Sequence, residues 1–273
     1  MKKFTFVLSV LVLATLVLTA CAPKATGGTG GGSAAAGMTD LKGRTITVAV
    51  ENAYPPFNSI DEGTSQGVGW DYDAVTEICR RLNCVPEFKE VAWDGLFPAM
   101  NAGEYDMAAD GITYKRLRAW GVDFSIPYTP VSQALLVRAD ETHTLDEFKT
   151  DQNLKVGTQI QTTNYDAAVS IFPDKEIVAF EDFGAPVLAL LSGDIDGVVI
   201  DDVAAYGFME ANPDQMKVIS YFETGEFLAF VYPPGSDLIN PINAALRAMM
   251  ADGTLAQLNA QWGLADPGAL DYK

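Results

Sequence analysis

The stretch Gly111-Ile112-Thr113-Tyr114-Lys115-Arg116-Leu117-Arg118, followed by Val122-Asp123-Phe124-Ser125-Ile126-Pro127-Tyr128, places a flexible turn, a hydroxyl and two arginines close together. A planar guanidinium holds a carboxylate through two parallel hydrogen bonds and so fixes its direction, which a lysine point charge does not. Three bases within four residues are also the pattern of a solvated basic patch, and residue types alone leave both readings open. Further along, a helix opening after Thr163 would offer unpaired amides and a positive dipole end to an anion. Thr163 could equally do no more than cap that helix. Asp201 follows the apolar residues up to Ile200, so its carboxylate emerges where a strand leaves a sheet. There it would meet a cation or cap the next helix, a task that Asp202 could take instead. These groups suit a small charged ligand better than a reacting centre. With one histidine, His143, and three cysteines, the chain has too few ligands for most zinc sites and no evident Ser/His/Asp or Cys/His pair. No metal, cofactor or catalytic residue is expected.

Of 273 residues, 48% are hydrophobic and 20% charged, the composition of an ordinary folded protein. Eighteen Lys and Arg against 36 Asp and Glu give a net charge of -18, and so acidic a surface repels phosphate backbones, which argues against nucleic acid as a partner. Lys2 and Lys3 precede an uncharged apolar run from Phe4 to Ala20 that stops at Cys21, the pattern of a secretory signal over 1–20. The alternative, an uncleaved anchor, would need about 20 apolar residues to span. The Gly, Ala, Thr and Ser of Ala22 to Gly37 cannot bury apolar area, so 21–38 is expected to be a flexible tether. No later segment has the roughly 18 uninterrupted apolar residues of a membrane helix, and the body is expected not to span.

These groups need a scaffold. β-Branched runs at Thr45 to Val50, Glu87 to Ala92, Met107 to Ala109, Ala134 to Arg138, Ile177 to Phe180 and Gly197 to Ile200 predict strands. Between them, Asp71 to Leu82 places Ala74, Val75, Ile78, Cys79 and Leu82 on one helical stripe. Leu238 to Met250 does the same with Ile239, Ile242, Leu246 and Met249, and Gly253 is expected to end that helix. The alternation predicts α/β architecture, with length enough for two lobes. There is an internal echo: Pro98 to Gly103, then Glu104-Tyr105-Asp106 and a strand, parallels Ala189 to Gly193, then Asp194-Ile195-Asp196 and a strand. One strand leads to Asp110-Gly111 and the other to Asp201-Asp202, and ligands of open α/β sheets bind beyond such carboxyl ends. Two such ends could face one cleft.

The stretch from Gly111 resembles the Gly-x-Thr-x-x-x-x-Arg and Asp-Phe-Ser-x-Pro-Tyr signatures of the family 3, polar-amino-acid solute-binding proteins of ABC transporters. The resemblance continues in order through Tyr54-Pro55-Pro56-Phe57, Gly69-Trp70-Asp71-Tyr72-Asp73, Trp93-Asp94-Gly95-Leu96, Val156-Gly157-Thr158-Gln159, Thr162-Thr163, Gly193 to Asp201, Ala251-Asp252-Gly253-Thr254 and Trp262-Gly263. It covers nearly everything after the tether. It implies a two-lobed periplasmic-binding-protein (type II, Venus flytrap) fold, each lobe an α/β sheet. Lobe 1 would comprise 39–131 plus 226–273 and lobe 2 132–225, with hinge strands near Tyr128 to Ser132 and Gly225 to Leu228. The tetrapeptide Leu18-Thr19-Ala20-Cys21 resembles a bacterial lipobox, which implies lipidation of Cys21. That would make a lipoprotein of the cell membrane or periplasm, attached through its lipid alone.

By the same resemblance Arg118 pairs with a ligand carboxylate, helped by Thr113 and the Thr162-Thr163 turn, and Asp201 takes an α-ammonium with a carbonyl near Gly111. Arg116 competes for the first role, although the spacing to Asp123 favours Arg118. Tyr54 and Trp93 fall where relatives carry rings that sandwich the ligand side chain, though both could be plain core aromatics. Glu51 falls where relatives place an acid against that side chain, and Asp110 adds a second, while Gln159 belongs to the same set of binding positions. Two carboxylates beside aromatic faces suit Arg, Lys or ornithine. Glu51 could instead cap the Asn52 to Pro55 turn. Lys115, Leu117, Trp70 and Gln161 depart from the family pattern, and Gln161 stands where glycine is common. Some relatives bridge a helix cysteine to one two residues beyond the position of Cys84, so Cys79 and Cys84 are either a disulfide or two buried thiols.

The expected activity is capture of a free amino acid between the lobes by a monomer and its delivery to an ABC permease. The rival is an enzyme on the same clamp, such as a cyclohexadienyl or arogenate dehydratase acting on a small carboxylate, with Glu51 or Asp110 as acid or base. A sensing module would need a fused transmembrane signalling segment.

Overall fold

The computed structural model describes residues 34–116 and 118–264. The signal, Cys21, nearly all of the tether and Leu117 therefore lie outside the described residues. No helix among those described is long and apolar enough to cross a membrane.

The chain builds two mixed sheets. β1 (Arg44–Val50) starts the first. Its Val48 and Val50 enter the main apolar cluster, and Ala49, on the opposite face, packs with Trp93, Leu96 and Met100. Burial on both faces explains why the run is continuously apolar over Val48 to Val50, after the alternation of Thr45, Ile46 and Thr47. β2 (Ala53–Tyr54), β3 (Asn58–Ile60) and β4 (Gly67–Val68) form a small antiparallel sheet of their own. Then α1 (Trp70–Leu82) buries the whole expected stripe, and β5 (Cys84–Glu90) pairs in parallel with β1. α2 (Trp93–Ala102) stops at Gly103, where φ is 72°, and leads into β6 (Met107–Ala108), also parallel to β1. β7 (Asp123–Phe124) follows.

The chain then crosses over. β8 (Thr129–Arg138), α3 (Leu145–Thr150), β9 (Val156–Gln159), α4 (Thr163–Ile171), β10 (Val178–Phe180), α5 (Ala185–Ser192), β11 (Gly197–Asp201), α6 (Asp202–Ala211) and β12 (Met216–Leu228) make the second unit. β13 (Val231–Tyr232) returns to the first sheet and is followed by α7 (Ile239–Ala251) and α8 (Thr254–Gln261). Sheet order is β5-β1-β6-β13-β7 in one lobe and β10-β9-β11-β8-β12 in the other. The architecture is thus a two-lobed α/β clamp. The two crossings run side by side, with Thr129 opposite Leu228 and Val131 opposite Glu226.

Some elements differ from the sequence reading. β5 starts three residues before Glu87 and stops at Glu90. β8 starts at Thr129, so the hinge strand expected near Tyr128 to Ser132 is continuous with the strand expected from Ala134, and β12 runs from Met216, of which only the hinge end, Gly225 to Leu228, was expected. β12 pairs only with β8, carries two register shifts and is mostly half-exposed, so its sequence has neither an apolar run nor a clean alternation. α7 ends at Ala251, and Gly253, at φ 82°, serves as the N-cap of α8. Cys79 and Cys84 are joined in a disulfide across the end of α1, with Cα atoms 4.5 Å apart.

Candidate functional site

The parallel strands β1, β6, β9 and β11 direct their carboxyl ends to one place between the lobes, as doubly wound sheets do at a ligand site. Glu51, Tyr54, Trp93, Asp110, Gly111, Thr113, Arg118, Gln159, Thr162, Thr163 and Asp201 all line the cavity there, joined by Asn164 and Phe183. The echo noted in the sequence is therefore spatial as well: Asp110, beyond β6, and Asp201, at the end of β11, face the same space. Its free volume is about 20 Å³, room for about one water molecule, because side chains of the two lobes meet each other across it.

At one end lies Arg118. Its guanidinium stacks over Trp93 and Phe97, 5.3 and 4.8 Å from the ring centres, and donates to the carbonyls of Thr113 at 3.1 Å and Gln161 at 3.3 Å. Burial lowers it to about 10, which leaves it charged at neutral pH. Arg116, by contrast, is exposed. Thr113 and Thr163 bring their hydroxyls within 3.3 Å across the cleft. Thr162, not Thr163, caps α4, accepting from the Tyr165 amide at 3.1 Å. Gln161 adopts φ 63°, the left-handed conformation that a glycine would take without strain. Lys115 reaches across to Asp166.

At the other end Asp201 is 2% exposed. Tyr54 Oη donates to its Oδ2 at 2.5 Å, and Gln133 Nε2 and Asn164 Nδ2 donate to its Oδ1 at 2.8 Å each. Asp201 holds the N-cap position of α6 without capping it. Asp202 does that work, accepting from the Val203 amide at 2.8 Å and the Ser132 amide at 3.1 Å. Burial raises Asp201 to about 6 against the three donors that favour its charge. Gly111 lets Tyr54 lie flat here: with φ at 55°, a Cβ would stand 2.3 Å from the Tyr54 ring.

Between these ends sit the acids. Gln159 Nε2 donates to Glu51 Oε1 at 2.8 Å and to the Glu181 carbonyl at 2.9 Å, which fixes its orientation and leaves Oε1 buried without a protein partner. Glu51 also accepts from the Phe183 amide, and its own amide donates to Asp110 Oδ1 at 2.8 Å. Glu51 therefore reaches into the cleft and does not cap the Asn52 turn. Burial, with the charges of Asp110 and Asp182, raises Glu51 to about 8, and burial with the charge of Asp71 raises Asp110 to about 8. Tyr54 and Trp93 are both cavity-lining and buried, 3% and 7% exposed, so the two readings of these rings do not exclude each other.

Sequence reasoning missed Gln133, Asn164 and Phe183. Asn164 directly follows the Thr162-Thr163 turn and could have been drawn in from the first turn of α4. Gln133 sits mid-strand and Phe183 in a loop, with no local signal for either.

The L-cystine-binding protein TcyA of Bacillus subtilis (strain 168) is 28% identical over 222 residues, 80% of this chain and 80% of that protein. ABC transporter arginine-binding protein 1 of Escherichia coli (strain K12) is 28% identical over 223 residues, 80% of this chain and 90% of that protein. The solved structure of an ancestral arginine-binding protein bound to arginine is similar with a TM-score of 0.73 at 32% identity, over 80% of this chain and 97% of that one. The profile of the bacterial extracellular solute-binding proteins, family 3, matches residues 46–265, and the chain belongs to that family.

Proposed function

We propose that the chain captures a free α-amino acid with a cationic side chain, such as arginine, lysine or ornithine, and delivers it to an ABC permease without chemical change. The observation that supports this reading is the arrangement of charge along the cavity. Arg118 and the amino end of α4 suit a carboxylate, and Asp201 suits an ammonium. A zwitterion that satisfies both leaves Glu51, Asp110 and the unpartnered Gln159 Oε1, a cluster of acceptors with no base among the other described lining residues.

An amino acid far exceeds the present free volume, so it enters with the lobes apart and replaces contacts that the lobes make with each other. Its ammonium takes the place of the Tyr54 hydroxyl on Asp201. Its carboxylate draws Arg118 from the carbonyls of Thr113 and Gln161. Its side chain takes the Gln159 amide's place on Glu51. Ligand contacts divided between lobes favour the closed form, and a few kcal/mol of differential binding invert a modest equilibrium. A dehydratase would need an acid or base aimed at the reacting atom, a part for Glu51 or Asp110, but the three-donor cradle around Asp201 keeps an anion ready for an ammonium, which favours binding over turnover.

In the same reading Cys21 carries a lipid, 21–38 is the tether, 39–131 plus 226–273 and 132–225 are the lobes, and the protein works as a monomer. Mass spectrometry of the detergent-extracted protein tests the anchor, with an unmodified Cys21 counting against it. The ligand is tested by thermal unfolding of the chain, freed of carried ligand by unfolding and refolding, against the twenty amino acids plus ornithine and citrulline. A ligand at about a thousand times its Kd adds roughly 4 kcal/mol. A shift with Arg, Lys or ornithine alone supports the reading. A shift with neutral amino acids alone keeps the clamp and refutes the cationic side chain.

A further inference from the structure

We infer that Phe183 sets the length of side chain that the cavity accepts, an inference that rests on reading the cavity as an amino-acid site. Phe183 comes from the loop between β10 and α5 of the second lobe and stacks on Tyr54 of the first, with ring centroids 4.4 Å apart and planes 15° apart. Both rings are buried, at 6% and 3% exposure. The segments that carry them form a wall one residue thick. Tyr54 and Phe183 line the cavity, while Ala53, Pro55, Asp182 and Gly184 line a second groove between the lobes. That groove has a free volume of about 820 Å³, against about 20 Å³ in the cavity.

Behind Phe183 the groove has an apolar side, and acids, Asp61, Glu62 and Asp182, elsewhere in its lining. Phe208 lies 6.4 Å from Phe183, with ring planes 25° apart, and Val187 and Leu191 complete the apolar side. The Phe183 amide donates to Glu51, so a distal cation seated on Glu51 stands next to the ring. Asp182 stands on the far side, where a longer cation would find a partner if the ring were gone. A side chain running from Asp201 towards Glu51 therefore ends against Phe183, and each further methylene must displace the ring.

The test is calorimetric titration of the full chain, freed of carried ligand, with 2,4-diaminobutyrate, ornithine, lysine and homolysine. Asparagine, glutamine and homoglutamine form the neutral counterpart series. In the unsubstituted protein the affinity should fall roughly tenfold or more at one step of a series. Phe183→Ala should move that step at least one methylene later or remove it, while shorter members lose less than about tenfold from the missing stack. Phe183→Val carries the same expectation and serves where Phe183→Ala does not fold. A step that stays in place with unchanged size in the variants overturns the inference, as does the lack of any step in the unsubstituted protein. If the unsubstituted protein binds no member of either series, the amino-acid reading fails and takes the inference with it. If it binds and the step does not move, the inference alone fails.

Discussion

Titrating the ligand-free chain with arginine at pH 7 should release protons. Burial raises Glu51 and Asp110 to about 8 each. At pH 7 each group is then about 0.9 protonated, so the pair holds nearly two protons. A guanidinium seated between them favours their charged forms and pulls both values down. If only one carboxyl ionises on binding, about 0.9 proton leaves; if both ionise, about 1.8 leave. The sign follows from linkage: the complex holds fewer protons than the free protein, so affinity rises with pH. Between pH 6 and pH 7 it should rise about 9-fold for one linked group and about 80-fold for two, then level off above about pH 8.5. The count is the slope of calorimetric binding enthalpy against buffer ionisation enthalpy. Replacing a carboxyl that ionises on binding should remove about 0.9 proton from it, so Glu51→Gln and Asp110→Asn each do so if both ionise and only one of them does if one ionises. Tight arginine binding with no proton release and a flat pH dependence would refute both the placement of the side chain and the protonation of these acids.

Three further outcomes follow from other parts of the site. Arg118→Ala removes the group facing the ligand carboxylate and should cost about 2 to 5 kcal/mol of binding, read as Kd; unchanged affinity excludes its assigned role. In α6, a Cβ on Gly207 would lie 2.6 Å from the Pro55 carbonyl of the other lobe. Gly207→Ala brings up to about 1 kcal/mol of helix propensity. It should nonetheless weaken ligand binding by about 1 to 2 kcal/mol, because Pro55 must give way for the lobes to meet; small-angle scattering checks that closure is incomplete. Finally, Glu51, Asp71, Asp110 and Asp201 all have raised values, about 8, 7, 8 and 6, chiefly through burial. A raised acid contributes stability that is fully present below its ordinary value and is lost as pH rises through the folded one. The melting temperature of the ligand-free chain should therefore fall steadily from pH 5 to pH 9, and one that rises over this range contradicts the burial of these groups.

Much of the fold was legible because its strands are buried on both faces. The ends of β1 and β11, Val48 to Val50 and Val198 to Ile200, read as unbroken apolar runs, and α1 and α7 as stripes, since those patterns are what burial between sheet and helix requires. β12 ahead of its hinge end, Met216 to Thr224, escaped for the opposite reason. It lies at a sheet edge with one neighbouring strand and the run Glu223-Thr224-Gly225-Glu226 near its turn towards the first lobe, so packing imposes little on its side chains. Its register comes from β8, ninety residues away at the crossing, where Val131 meets Glu226.

The same distinction divides the site. Arg118, Asp201 and the Thr162-Thr163 turn are each fixed by their own element: a 3-10 turn, a strand end, a helix start. Residue type and position in the element made them candidates, and the family resemblance supplied their roles. Gln133, Asn164 and Phe183 act through what stands opposite. Gln133 reaches Asp201 because β8 pairs with β11, which sets Gln133 beside Asp201. Phe183 meets Tyr54 only because the second lobe lies against the first. The groups proposed to hold charge were thus candidates in the sequence, whereas the positions of those proposed to tune charge and length are set by sheet order and lobe contact. Selectivity in this chain should accordingly shift more readily through Gln133, Asn164 and Phe183 than through Arg118 or Asp201, whose replacement removes the grip itself.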